Sequence, residues 1–510
     1  MSWSADFVAA LSSPTLAPIF VVEVVNVWHE PGGPYSVSSI PGVGASESSI
    51  VRGSVTSQGA TLSPVSATAS VGSWSFGIAG DPAEFLRHVT RGTIVQLRVG
   101  WPGWSEAEYE TVALGQVSRM RGIPPVLMIE VMDIYAAIQS RLEIQETSAD
   151  LFADAGTTTA LAADYTVGDA SLKITSTAGF VHRTGGDGAA LVTPTSGATP
   201  FILTYTGVAA GPVRLTGVSA AGQLGTTALS VLLADGATIT ALDLVYGHPL
   251  DIVREVMCST GVGTNGSYDV YPEAWGMCLP DTMMDHTDID AYKAIVTVAG
   301  VYTWKIASAA GVPDGYSWLV GYLAPGGLFL AVRQGLLTAR AIQDTALRTY
   351  HTGIAITDAD IIAVEDYQAY DDESTPEGIS MVVNPADGTG YGTGLTPPDA
   401  ATLPTRRGVE VWLPALYANT VQVCTEVYDR TYEAFSRVPE RITLRCVLRL
   451  AQLAVGDLVD LTTLLVWSRR DGLAGFTARC AMVVEVSPDW SGGSTVITLL
   501  VYPESDDVYA

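Results

Sequence analysis

Arg479–Pro503 reads RCAMVVEVSPDWSGGSTVITLLVYP. Two apolar, β-prone runs flank a Trp-Ser-Gly-Gly turn, the pattern of a strand, a tight turn and a second strand, and an acidic tail follows. No catalytic side chain stands in it. Upstream, Glu440–Thr463 (ERITLRCVLRLAQLAVGDLVDLTT) passes through Gly456-Asp457 into a further strand. Ile356–Pro385 supplies two more strands across the acidic loop AYDDESTPEG (Ala369–Gly378), which reads as a solvated loop. Residues 353–510 are therefore predicted to form a β domain.

The N-terminal end has the same style. Pro18–Trp28 (PIFVVEVVNVW), Val65–Trp74 (VSATASVGSW), Gly92–Trp101 (GTIVQLRVGW), Tyr109–Gly122 (YETVALGQVSRMRG) and Pro125–Asp133 (PVLMIEVMD) read as five strands. In the third, Ile94, Gln96 and Arg98 alternate with Val95, Leu97 and Val99, as in a half-buried strand. Ser73–Gly92 interrupts the series, and Asp81-Pro82 can open a short helix. Short strands at this spacing predict a barrel or sandwich over 1–146.

Between the two ends the composition shifts twice. Residues 147–246 are rich in Thr, Ala, Gly and Val; Ala163–Ser176, Phe201–Val208, Val213–Val218 and Ala228–Thr240 read as strands of a β-rich insertion whose ends lie close together. Residues 247–352 carry helical signals. His248–Gly263 (HPLDIVREVMCSTGVG) has Pro249 near its start and an apolar face of Leu250, Ile252, Val253, Val256 and Met257. Asp285–Gly300 is a second helix, and Thr303–Ile306, Ser317–Leu323 and Gly327–Ile342 read as strands. This predicts a small α/β domain. The fold class is mainly β with an α/β middle: two β-barrel-like tube-forming domains, a β insertion domain and a small α/β domain.

Bulk composition narrows function. A chain of 510 residues is too long for one core, and 48% hydrophobic residues exclude a disordered chain. Mean hydropathy is positive (+0.28), yet Gly315–Val332 is broken by Pro-Gly-Gly and reads as two strands about a turn, and Leu215–Ala234 is interrupted by polar residues. No membrane span is expected. The first residues lack a basic region, so a cytoplasmic product without a signal peptide is expected. The formal charge of −27, with 26 basic against 53 acidic residues, offers no basic face for sequence-specific nucleic-acid binding. Like charge would instead let nucleic acid pass without adhering.

Nothing in the sequence marks a reaction. Gly261–Gly266 (GVGTNG) matches G-x-G-x-x-G but follows a helix instead of opening one, so its glycines read as a C-cap. Asp281, Asp285, Asp288 and Asp290 crowd around His286; carboxylates could hold Ca²⁺ or Mg²⁺, but the EF-hand spacing is missing and helix capping explains the same residues. The histidines (His29, His88, His182, His248, His286, His351) are scattered, His29 opens HEPGG and not H-E-x-x-H, and no G-x-S-x-G occurs. Cys258, Cys278, Cys424, Cys446 and Cys480 form no C-x-x-C pair and read as buried free thiols. No residue is assigned a catalytic, cofactor-binding or metal-binding role, no cofactor is expected, and the chain is read as a non-enzyme.

Taken in order, these signatures resemble the baseplate hub, or tail-tip hub, proteins of tailed bacteriophages. GTIVQLRVGW followed by VALGQVSRMRG is similar to that family's first strand pair. HPLDIVREVMCSTG and GLLTAR resemble the helix and strand of its α/β part. LAVGDLVDLTT and then Gly475–Val501 resemble its last barrel, with Val483, Val484, Val486, Asp489, Gly492, Gly493 and Leu499 on the family pattern. The likeness omits the insertion, and the cysteine-ligated iron–sulfur signature of some tail-tip relatives is missing. The resemblance implies a homotrimer whose two β domains per chain imitate six subunits, joining a sixfold tail tube to a threefold tip. It further implies contacts with distal tail and other baseplate proteins, with the tape measure or a central spike or fibre, and passage of DNA through an acidic channel without sequence-specific binding. The place implied is the virion tail tip, after synthesis in the host cytoplasm. A distal tail or other baseplate ring protein would share the barrels but usually has one, without the α/β middle. A carbohydrate-binding receptor module would suit the 11 Trp and 21 Tyr. A glycosidase would need a facing carboxylate pair that sequence does not reveal.

Overall fold

In the computed structural model the described residues fall within 3–25, 36–39, 49–134, 157–220, 232–258, 279–305, 319–343, 352–383, 408–413, 430 and 439–502, with short gaps, and structural statements concern these residues. The protein is mainly β, with several sheets and a few short helices.

The first unit opens with helix α1 (Ala5–Leu11), capped by the Ser4 hydroxyl accepting from the Phe7 N–H. Its strands are β1 (Ile19–Val24), β2 (Ser36–Ser38), β3 (Ser49–Ile50), β4 (Thr56–Gln58), β5 (Ala60–Ser63), β6 (Thr68–Ala69), β7 (Ser73–Ala79), β8 (Ile94–Gly100), β9 (Glu110–Ile123) and β10 (Val126–Asp133). The pairing runs β10-β9-β8-β1-β2-β3-β7 and returns on itself, because β10 also pairs with β7, Ile129 opposite Phe76. The alternation expected of β8 is present from Val95 on, where Val95, Leu97 and Val99 enter the core while Gln96 and Arg98 are partly exposed; Ile94, expected on the outer face with them, is buried. Two expectations are corrected. Ser73–Ala79 does not interrupt the strands but is one, since Trp74, Phe76 and Ile78 alternate inward. Val65–Trp74 is not one strand; β6 ends at Ala69 and β7 starts at Ser73.

The second unit contains β11 (Thr158–Ala160), β12 (Ser171–Lys173), β13 (Gly188–Thr193), β14 (Phe201–Tyr205), β15 (Gly207–Ala210), β16 (Val213–Thr216), β17 (Ser219–Ala220) and β18 (Thr238–Leu242). They form sheets ordered β11-β18-β13-β14-β17 and β12-β16-β15 around a separate core that includes Leu172, Val192, Leu203, Tyr205 and Ile239. First and last strands pair, Thr158 opposite Thr240, so the chain enters and leaves side by side. The first half of Ala163–Ser176 is not a strand; Tyr165 makes one isolated bridge to Leu233.

The middle holds β19 (Leu244–Gly247) paired with β20 (Tyr302–Lys305), helices α2 (Pro249–Cys258) and α3 (His286–Lys293), and the hairpin β21 (Leu328–Arg333) with β22 (Leu336–Ala341). The hairpin turn places Gln334 at φ 51 and Gly335 at φ 79, the double positive φ that a two-residue turn of this hand requires. The expectation of two strands about Pro-Gly-Gly is corrected on its first side. Residues 319–321 are helical and lead into the 3-10 turn Ala324–Gly326, whose Pro325 sits in the first turn and whose Gly327 stops it at φ 64. Among the described residues no helix is long and apolar enough to cross a membrane.

The last unit comprises β23 (Ala355–Thr357), β24 (Ile361–Gln368), β25 (Gly378–Val383), β26 (Gly408–Leu413), β27 (Glu440–Val447), β28 (Leu458–Trp467), β29 (Ala474–Asp489) and β30 (Ser494–Val501). Six of these form a sheet ordered β23-β28-β29-β30-β27-β24, while β25 and β26 pair separately in parallel. Its two edge strands are joined by the short turn 358–360, tied by the Asp360 carboxylate accepting from the Thr357 N–H, so the sheet is rolled.

The first and last units repeat one plan. Strands β7 to β10 lie in the spatial order β8-β9-β10-β7, and β27 to β30 lie in the order β28-β29-β30-β27. In each, a helical segment joins the first strand of the four to the second: residues 85–87 with Phe85 buried, and the 3-10 turn Leu448–Gln452 with Leu450 buried. In each, a shorter strand flanks the second, β1 beside β8 and β23 beside β28.

Candidate functional site: the seam that joins the units

Residues 60–69 leave the first unit and complete the last. β5 and β6 pair with each other, and β5 also pairs with β29, Thr61 opposite Glu485 and Ala60 opposite Val486. Gly59 permits this approach: a Cβ there would lie 2.2 Å from the Val486 carbonyl oxygen. The Ser57 hydroxyl donates to the Pro488 carbonyl, the Gly59 N–H to Ser487 Oγ at 3.2 Å, and the Ser491 hydroxyl to the Val55 carbonyl at 2.6 Å. Leu62 and Ala69 share a core with Met482, Val484, Leu500 and Phe329.

A second part of the seam is aromatic. Trp490, in the turn between β29 and β30, is buried edge-on against Trp3, ring centroids 6.1 Å apart. Trp3 meets Phe7 edge-on at 5.0 Å, and Phe7 meets Trp101 edge-on at 4.8 Å, so α1 is clamped between the two units. The Trp3 indole N–H donates to the Thr111 carbonyl at 3.0 Å, satisfying its polar edge.

The hairpin β21–β22 touches three units. At its tip the Gln334 side chain accepts from the Trp3 N–H, and Gly335 lies against the Ala113 backbone. On its body Arg340 is wholly buried and forks: Nε and Nη2 hold Asp288 of α3 at 2.7 and 3.0 Å, while Nη1 holds Asp457 Oδ1 at 3.0 Å and the Val455 carbonyl at 2.9 Å. Asp288 also accepts from Arg333 and Thr338, at 3.0 and 2.8 Å. Burial alone would raise the Asp288 pKa; the Arg340 charge and its hydrogen bonds, with Arg333 and Thr338, hold it below the usual carboxylate value. For Asp457 burial prevails: its pKa is raised, despite Arg340 and the Ala454 N–H, with Asp288 adding to the rise. Arg340, between two carboxylates, stays protonated against its burial.

The acidic cluster thus resolves into structure. Asp285 caps α3, accepting from the Asp288 N–H. Asp290 pairs with Arg254 of α2 at 2.6 Å, and that guanidinium also donates to the His286 carbonyl at 2.8 Å. Asp285 and Asp288 both face Arg333 while Asp290 turns to Arg254, and among the described residues no three His, Cys, Asp or Glu could hold a metal. At the start of α2, His248 Nδ1 accepts from the Leu250 N–H and Nε2 meets the Val296 carbonyl; burial lowers its pKa, so it is neutral and donates from Nε2. Cys258, Cys446 and Cys480 are buried free thiols, and burial pushes Cys446 up to about 12. Gly261–Gly266, residues 370–377 of the acidic loop, Cys278, Cys424, His29, His88, His182 and His351 lie outside the described residues.

A cavity of about 110 Å³ lies on the seam between Trp74, Ala113, Gly335, Val455, Val486 and Trp490. It is smaller than the roughly 300–1,000 Å³ of a ligand pocket. Sequence reading singled out Asp288 and placed Asp457 and Trp490 in turns, but assigned no contact to Asp457, Trp490 or Arg340. The signal for Arg340 was a lone cation inside the apolar run LLTARAI.

The arrangement defines a mainly β protein built on two related β units fastened to each other. No family model and no curated protein matches the chain. Among solved structures it is similar to the 43 kDa tail protein of prophage MuSo2 from Shewanella oneidensis, at 11% identity over 95% of this chain and 98% of that one, with a TM-score of 0.39. It is also similar to a chain of the virion of a native gene transfer agent particle, at 17% identity over 47% of this chain and 84% of that one, TM-score 0.21. TM-scores this low establish no common fold.

Proposed function

We propose that this chain is a structural protein of a phage virion, a baseplate or tail-tip hub, and not an enzyme. Three copies would form a ring in which the two related β units of each chain stand for six subunits, joining the tail tube to the tip. The observation that carries the reading is the repeated strand order β8-β9-β10-β7 and β28-β29-β30-β27 within one chain. A pseudo-sixfold ring from three chains needs two similar units per chain held at a fixed spacing. The seam of β5 on β29, Trp3 on Trp490 and Arg340 on Asp457 would hold them so.

In this reading the chain divides into hub units over 1–146 and 353–510, an insertion over 147–246 and an α/β unit over 247–352. Its partners are distal tail and other baseplate proteins and a tape measure or central spike. The charge of −27 suits a channel through which DNA slides without binding. Electron microscopy of the purified protein, with mass from light scattering, tests it. Trimeric rings with six lobes and a central hole are expected; a hexameric ring would overturn it.

A further inference from the structure

The two β units match residue by residue at the root of one hairpin each. In the first, Val117 of β9 accepts from the Gly92 N–H at 2.8 Å and donates to the Thr93 carbonyl at 2.9 Å. In the last, Val483 of β29 does the same with Gly456 and Asp457, at 2.8 and 2.9 Å. Gly92 and Gly456 hold φ 94 and 88. One residue further on, each strand bulges against its hairpin partner, at Ser118 and at Val484. Arg119 and Met120 of β9 are therefore the counterparts of Glu485 and Val486 of β29.

Beyond the bulge both hairpins outrun the neighbouring strand. The pairing of β8 with β9 stops at Ile94 opposite Gln116, and that of β28 with β29 at Leu458 opposite Met482. The edge of β29 left open is taken by β5, at Glu485 and Val486, and Trp490 at the hairpin tip is buried against Trp3. No described strand takes the same edge of β9, where Arg119, Arg121 and Gly122 are exposed. An open edge of this kind is a template for strand addition.

The repeated plan also names the strands that fit it. The pair β5–β6 stands in the chain between β4, which flanks β7, and β7 itself. The pair β25–β26 stands between β24, which flanks β27, and β27 itself. Among the described strands β25 and β26 pair only with each other, and a two-stranded sheet is marginal until another element completes it. Within one chain the first unit thus lends β5–β6 to the last, while β25–β26 of the last unit and the β9 edge of the first are left over. A head-to-tail contact between copies uses both, and three such contacts close a ring.

We propose that β25–β26 of one copy add to the open edge of β9, at Arg119 and Met120, in the first unit of a second copy. The proposal rests on the ring reading for its stoichiometry. The test follows hydrogen exchange on the wild-type chain across its assembly, with mass from light scattering over a concentration series. Amides of residues 118–122, 378–383 and 408–413 are expected to slow on assembly, while those of 485–486, already paired within the chain, stay unchanged. The second arm is Met120→Pro. Its counterpart Val486 turns its carbonyl toward the β5 side, 2.2 Å from where a Gly59 Cβ would lie, so the Met120 N–H faces the open edge, where proline is tolerated. The variant is expected to melt as the wild type does and to assemble at least about tenfold more weakly, having lost a ladder hydrogen bond and left its partner carbonyl unmet.

A trimer whose 118–122 amides exchange as fast as in the monomer overturns the strand addition and leaves the ring standing. A dimer or hexamer that protects all three segments upholds the addition and overturns the trimer. Protection of 118–122 without 378–383 and 408–413 overturns β25–β26 as the occupant. A wild type monomeric at every concentration, or a proline variant that assembles as tightly as the wild type, overturns the addition. If the proline variant melts lower, exchange on the wild type alone decides.

Discussion

Arg340 donates from Nη1 to Asp457 at 3.0 Å across 117 positions of sequence, while its other edge grips Asp288. One guanidinium therefore ties α3, the hairpin β21–β22 and the turn entering β28 into one body. Replacing it with methionine would leave two carboxylates buried without their cation. Arg340→Met should cost about 3–5 kcal/mol, read as a lower denaturation midpoint in urea. An unchanged midpoint would show that the fork contributes nothing net.

Acid should act on this cluster in two opposed steps. Asp457 has a raised folded pKa, so it favours folding when protonated, and that contribution is lost as pH rises through its folded value. Asp288 has a depressed one, so its contribution is present above the unfolded value of about 3.9 and is lost as pH falls through the folded value. Stability should rise as pH falls through the raised folded value of Asp457 toward the unfolded value of about 3.9, then drop as pH falls on toward the depressed folded value of Asp288. Asp457→Asn should flatten the upper limb and leave the acid drop, as followed by denaturation at a series of pH values.

Gly59→Ala puts a methyl group against the Val486 carbonyl, backbone that cannot swing aside. The β5–β29 pairing should loosen, with a loss of about 1–3 kcal/mol. Hydrogen exchange should rise at the amides of residues 60–62 and 485–486 while β8 and β9 stay protected. Unchanged exchange there would mean the ladder tolerates the shift.

Trp490→Ala should cost about 3–5 kcal/mol through the cavity it leaves. A double-mutant cycle with Trp3→Ala should return a coupling of about 0.5–1.5 kcal/mol for the edge-on pair. A coupling of zero would mean that the two rings are buried independently.

Much of the local structure was legible. The alternation in Gly92–Trp101, the hairpin about Trp490–Gly493 and the capping of α3 by Asp285 all follow from side-chain period, turn chemistry and the orphan N–H groups of a helix start. Errors arose where a short apolar run suits two conformations. Ser317–Leu323 reads as a strand by composition, yet residues 319–321 are helical, with Leu319 and Leu323 buried. The capping of the acidic cluster was legible, but its ion pairs were not: Asp288 and Asp290 are neighbours in sequence, while the arginines that claim them, Arg254, Arg333 and Arg340, come from α2 and the hairpin.

The sequence by itself determined that the protein is mainly β, which runs form its final hairpins, and where α2 and α3 begin, because these depend on periodicity and on groups a few residues apart. Tertiary structure alone decided that residues 60–69 join β29, that Trp490 rests on Trp3, and that Arg340 is shared by Asp288 and Asp457. Those contacts link positions hundreds of residues apart in some cases. Local propensity carries no record of them, and they form because burying an edge strand, an indole or a guanidinium demands a partner that only the assembled fold brings near.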